Sequence, residues 1–226
     1  MQHWDEQVTG QTVKVFRIGK KSIDGFATSA VKLAGEGKKF AIGSNKGHID
    51  IIDYESELST ASQFPYAHGA EITGVSSCSE ANNSLVSCSL DRHCKLWDLN
   101  AIKAKTLLKH DHQLTAVHWS SQDLIVLGDE VGNVMVVDVR QPKKVLSTMA
   151  VANRGISKLH FTTKQKFGVV SRSNIVKVLR INEKGELETA YEHIASSLVL
   201  GMSWDKNDNE AFYVIGDQQL AEKVKM

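Results

Sequence analysis

Five short apolar segments recur along the chain with a nearly constant beat: SAVKL, TGVSS, TAVHW, SKLHF and LGMSW, centred on Val31, Val75, Val117, Leu159 and Met202. Their separations are 44, 42, 42 and 43 residues. A second set keeps the same beat independently, since IDIID, KLWDL, MVVDV and KVLRI place Asp53, Asp98, Asp138 and Arg180 at intervals of 45, 40 and 42. The apolar residues alternate and many are β-branched, which argues for strands and against helical repeats. Turn residues such as Asn45-Lys46-Gly47, Leu90-Asp91 and the GDEVG run at 128–132 separate the segments. Each period therefore holds about four short antiparallel strands, a unit that buries both faces only by stacking on copies of itself.

The most regular period runs from His68 to Trp97-Asp98 and contains SLVSCSLDRHCKLWD. A period of roughly 40 to 45 residues, four strands each, closed by a Trp-Asp dipeptide, is the signature of a WD-repeat blade. The expected fold is thus all-β, a WD-repeat β-propeller of about five to six recognisable blades in one domain spanning 1–226. The units fall at about 1–26 (partial), 27–66, 67–110, 111–152, 153–194 and 195–226. Residues 5–18 read as a hairpin turning at Thr9-Gly10, half of a further blade. The chain then looks like an N-terminally shortened ring of about seven blades, with a five- or six-bladed closure as the alternative. In the last unit the position of Asp98 is expected at about Met226.

Composition removes several function classes. With 27 basic and 26 acidic residues the net charge is +1, which gives no general attraction to nucleic acid or an anionic membrane. The basic stretch KAKTLLKH (103–110) and Arg140, Lys143 and Lys144 lack interleaved aromatics and read as a solvated rim on loops. Cys78, Cys88 and Cys94 cannot all pair, and a reducing compartment, cytoplasmic and nuclear, is expected. The polar start MQHWDEQ has no apolar core of a signal peptide.

Three groups of residues carry candidate chemistry. His68, Ser87, Asp91 and Trp97 match the buried set that links a histidine, a strand hydroxyl, a turn aspartate and a tryptophan in WD repeats. Asp91 orients the imidazole, the imidazole reaches the hydroxyl and the hydroxyl accepts the indole N–H. The same residue types form hydrolase triads, but a nucleophilic serine sits on an exposed, strained turn, whereas Ser87 is mid-strand. A structural tetrad and no catalytic residue is therefore expected. His110-x-His112 and Cys88, His93 and Cys94 lack the ligand spacing of a zinc site, so neither a metal nor any other cofactor is expected. Gly128 to Gly132 precedes a strand, not a helix, and is a hairpin turn rather than a phosphate loop. Trp4, beside Asp5 and Glu6 and outside any expected strand, is the candidate partner-binding anchor.

One further likeness is more specific. The order AHGAEITGVSS, LVSCSLDRHCKLWDL, LIVLGDEVGNVMVVDV and KKVLST, with VIGDQQLAEKV at the end, resembles the last four blades of the WD-repeat methylosome subunits. It covers roughly 67–226. The resemblance implies a non-catalytic adaptor in a hetero-oligomer with a type II protein arginine methyltransferase, presenting substrates such as histones and Sm proteins. It implies no direct nucleic-acid or membrane contact. It also implies an aromatic from an early-blade loop that anchors the enzyme, a part to which Trp4 is matched.

Overall fold

The computed structural model describes the chain apart from residues 1–3, 9–10, 16–22, 34–37, 54–58, 82, 122, 164, 206, 209 and 218–220. Among the described residues every element is a β-strand. Strands β1 (Trp4–Val8) and β2 (Gln11–Val15) form a two-stranded hairpin with Trp4 opposite Val15. The expected hairpin is thus present, but Trp4 starts a strand instead of preceding one. The Thr9-Gly10 turn and Ile18 lie outside the described residues.

Five sheets follow. Blade B holds β3 (Ala27–Lys32), β4 (Lys39–Ser44), β5 (Ile49–Asp53) and β6 (Ser59–Phe64). Blade C holds β7 (Ile72–Ser76), β8 (Ser84–Ser89), β9 (His93–Asp98) and β10 (Lys103–Lys109). Blade D holds β11 (Leu114–Trp119), β12 (Leu124–Asp129), β13 (Asn133–Asp138) and β14 (Val145–Ala150), and blade E holds β15 (Ile156–Phe161), β16 (Lys166–Ser171), β17 (Ile175–Ile181) and β18 (Leu187–Ile194). Blade F has β19 (Val199–Trp204), β20 (Ala211–Gly216) and β21 (Ala221–Lys225). Each is an antiparallel meander, and first strands adjoin in the order β3, β7, β11, β15, β19.

Period-2 patterning explains the stacking. In β12, Ile125 and Leu127 join the core with Val86, Cys88 and Cys94 of blade C, while Val126 joins the core with Ile156 and Phe167 of blade E. One strand thereby serves two interfaces, and each fully buried Leu or Ile contributes roughly 1.5 to 3 kcal/mol. Hydroxyls reinforce the inner seam: Thr73 Oγ1 donates to the Leu114 carbonyl of the next blade at 2.7 Å, and Thr28 Oγ1 does the same to Ile72.

A register break recurs at one place in every blade, just after Ala27, Ile72, Leu114, Ile156 and Val199. Counting from this bulge corrects two expected equivalences. The partner of Val75 in blade B is Ala30, opposite Ile42, and not Val31, because Val75 faces Ser87 two positions after its own break. In blade F the Asp98 position is Lys225, opposite Ala211 as Asp98 is opposite Ser84, and not Met226. The lysines of 103–109 also lie on strand β10, the outer edge of blade C, rather than on a loop. Charged side chains there discourage edge-to-edge pairing.

Glycines mark how closely blades approach. A Cβ on Gly74 would stand 2.9 Å from Val117 of the next blade, and one on Gly128 2.7 Å from Ile156. Gly201 occupies the position of Gly74 in blade F, and a Cβ there meets nothing within 4 Å. Leu200, Tyr213 and Ile215 on that blade are exposed.

Candidate functional site

The four tetrad residues come from different elements of blade C. His68 lies in the loop after β6, Ser87 is mid-strand in β8, Asp91 is in the β8–β9 turn and Trp97 is in β9. The turn is held by its own side chains: the Asp91 N–H donates to Ser89 Oγ at 3.0 Å and the His93 N–H to Asp91 Oδ1 at 2.9 Å. Arg92 takes a positive φ of 71° at the position where Gly47 and Gly132 stand in neighbouring blades. The chain therefore spends strain here to bring Asp91 under the preceding loop, where it accepts the Gly69 N–H at 2.9 Å.

All four side chains meet in one hydrogen-bonded row. A carboxylate only accepts, so His68 carries its proton on Nδ1 and donates it to Asp91 Oδ2 at 2.9 Å. Nε2 is then the acceptor for the Ser87 hydroxyl at 2.7 Å, and Ser87 Oγ accepts the Trp97 indole N–H at 2.8 Å. Ser87 is 0% exposed, His68 3% and Trp97 5%. Burial pushes the His68 imidazole down to about 4, overriding the opposing pull of Asp91. Burial alone would raise the Asp91 carboxyl, but the Gly69 N–H, the facing His68 and the His93 N–H hold it below the usual range. The state is a neutral imidazole between a carboxylate and a hydroxyl. Ser87 Oγ is committed on both sides and shielded from solvent, so the row satisfies buried polar groups and presents no nucleophile.

The bulge register identifies the same positions in the other blades. Ser87 corresponds to Ile42, Leu127, Val169 and Val214, and Trp97 to Ile52, Val137, Leu179 and Val224. Hydroxyl and indole are lost together, and apolar side chains fill both places. Replacing a whole buried polar row by well-packed apolar groups costs little, whereas losing one member does not.

Blade D keeps one remnant of the row that the sequence pattern does not announce. His110 stands 42 residues after His68, the period of the repeat. Its Nε2 donates to Asp129 Oδ2 at 3.2 Å, and Asp129 occupies the place of Ser89. The Asp129 carboxylate, fully buried, also accepts N–H groups of Val131, Gly132 and Asn133 at 3.1, 2.9 and 2.8 Å. Burial would raise it, but the Asn133 backbone and side chain with His110 and Gly132 hold it low. The carboxylate has moved from the middle of the turn to the last residue of the strand before it.

The other candidates resolve simply. Cys78, Cys88 and Cys94 are free and buried, and burial pushes the Cys88 thiol up to about 12. Among the described residues no group of three or more His, Cys, Asp or Glu is placed to hold a metal ion. Arg140 is tied to Asp138 at 2.8 Å and Asp123 at 3.1 Å. Trp4 heads β1.

A family model described as WD domain, G-beta repeat matches residues 60–98. That span runs from β6 through β9, so the sequence repeat is offset by one strand from the structural blade. The chain is 26% identical over 156 residues to the methylosome protein WDR77 of Xenopus laevis, covering 66% of this chain and 46% of that protein. The chain is a WD-repeat protein. It resembles WDR77, and its sheets are the blades of a WD-repeat β-propeller. It is also 27% identical over 154 residues to the U3 small nucleolar RNA-associated protein 21 homolog of Schizosaccharomyces pombe, covering 67% of this chain and 16% of that protein. The chain thus spans less than half the length of the curated relatives it matches.

Proposed function

We propose that this WD-repeat scaffold is a non-catalytic adaptor of a type II protein arginine methyltransferase, binding the enzyme and presenting histone or Sm-type substrates to it in the cytoplasm and nucleus. The identity to methylosome protein WDR77 carries the reading. It is supported by the succession of blades C and D, where the His68 to Trp97 row is followed directly by the Gly128-Asp129-Glu130 turn. The sealed Ser87 supports a role in binding over one in bond cleavage. The mechanism is effective concentration: a substrate held beside an active site meets it more often without new chemistry. Trp4 is the proposed anchor, on the general preference of interfaces for large aromatics.

The test is surface plasmon resonance with the purified chain and a purified type II arginine methyltransferase. The reading expects saturable binding, weakened at least tenfold by Trp4→Ala with the unfolding midpoint unchanged. Binding that is absent at micromolar concentrations contradicts it. A second reading, a scaffold in another assembly, draws on the nearly equal identity to the U3 small nucleolar RNA-associated protein 21 homolog. Failure to bind the methyltransferase while capturing a defined set of that assembly's proteins would favour it.

A further inference from the structure

Between the inner strands β3, β7, β11 and β15 lies a cavity of about 290 Å³. The position immediately after the bulge supplies one wall residue from each of these strands, Ser29, Gly74, Ala116 and Lys158. Three of these residues are small, and they leave space. The fourth is a lysine. Among the described residues, Lys158 and His160 are the only ionisable groups lining this cavity, and no carboxylate does. Among the described residues neither makes an ion pair.

We propose that this axial cavity receives a carboxylate side chain from an acidic segment of a protein partner, with Lys158 as its counter-ion. Lys158 is exposed, so a partner can reach its ammonium, and with no carboxylate of this chain on the same wall its counter-charge is left to an incoming group. One lysine matches one carboxylate in charge; a lysine also binds phosphate as a point charge, but a phosphate carries up to two charges and is held bidentately by guanidinium groups, and this cavity wall contains no arginine among the described residues. Ser29 adds a neutral contact: its oxygen accepts the Val75 N–H at 3.1 Å, which leaves its own proton to donate. A second cavity, of about 340 Å³, shares Thr28, Thr73, Thr115 and Ser157 with the first and carries Glu71 and Arg172. Both signs occur there, so the purely cationic environment belongs to the Lys158 cavity. The basic substrates of the adaptor reading do not suit this cavity, and the acidic segment is a separate ligand.

The experiment is fluorescence anisotropy with the full chain and a fluorescein-labelled hexaglutamate peptide, against a hexaglutamine peptide of equal length. Hexaglutamate is expected to bind and hexaglutamine not. Lys158→Gln is expected to weaken binding at least tenfold, Lys158→Arg to retain it within about threefold, and Lys105→Gln, on the outer strand β10, to leave it unchanged, all with unfolding midpoints held. Sodium phosphate is expected to compete no better than sodium chloride of equal ionic strength. The proposal falls if the wild-type chain ignores hexaglutamate, if Lys105→Gln weakens binding as much as Lys158→Gln, or if phosphate displaces the peptide where matched chloride does not.

Discussion

Replacing Ser87 by alanine removes one oxygen and strands two groups. The Trp97 indole N–H loses its acceptor at 2.8 Å and His68 Nε2 loses its donor at 2.7 Å. Both lie in a site at most 5% exposed, so water does not take over either role without opening the blade. A buried donor or acceptor left unsatisfied costs roughly 1 to 3 kcal/mol, and two of them in one row give an expected loss of about 2 to 6 kcal/mol. For a chain of 226 residues that corresponds to a fall of roughly 4 to 24 °C in Tm. Urea unfolding followed by tryptophan fluorescence, with an unchanged slope, measures it. A double-mutant cycle with Trp97→Phe isolates the Ser87–Trp97 bond, because a phenyl ring at this position needs no acceptor; a coupling of about 0.5 to 3 kcal/mol is expected. A loss below about 0.5 kcal/mol for Ser87→Ala, or zero coupling, would refute the reasoning.

Gly74→Ala drives a methyl into Val117 and is expected to cost about 1 to 3 kcal/mol, while Gly201→Ala at the same position of blade F meets open space and is expected to stabilise by a few tenths to about 1 kcal/mol; urea midpoints of the two variants decide it. Asp129→Ala orphans the N–H groups of Val131, Gly132 and Asn133 and the imidazole of His110, and thermal denaturation should show a loss of about 3 kcal/mol or more. His68 and His118 are both pushed down to about 4, chiefly by burial. The unfolded chain therefore takes up protons first, below about 6.5, and the stability these two histidines contribute is complete above that pH, falls as pH drops toward 4 and flattens below, where the lowered Asp91 and Asp129 carboxyls continue the loss. His118→Phe preserves the stack on Phe161, whose ring centroid is 4.0 Å away, removes one of the titrating groups, and should make the fall between pH 6.5 and 4 shallower.

The repeat is legible in the sequence because its signal is long: a period sustained over five units survives the loss of any one side chain. The tetrad is legible in blade C because all four residue types remain. What stays hidden is positional. Val31 is more apolar than Ala30 and draws the alignment off by one residue, since hydrophobicity marks a buried face but not the bulge that sets register. His110 and Asp129 give no recognisable motif because the aspartate has moved two places along the chain, and only the fold brings the pair together. The cavity around Lys158 is hidden for a related reason: Ser29, Gly74 and Ala116 are far apart in sequence and share no chemistry beyond small size. Trp4 reads as lying outside any strand because polar Asp5, Glu6 and Gln7 obscure the alternation, yet β1 begins there.

The proposed adaptor would bring a methyltransferase and its substrate together. The most direct measurement is the initial rate of symmetric dimethylation of a histone tail by a purified type II arginine methyltransferase, at substrate concentrations below saturation, with and without stoichiometric chain. A rise of about tenfold or more is expected, one that disappears at saturating substrate and is reduced by Trp4→Ala. A rate independent of the chain at every substrate concentration would contradict it.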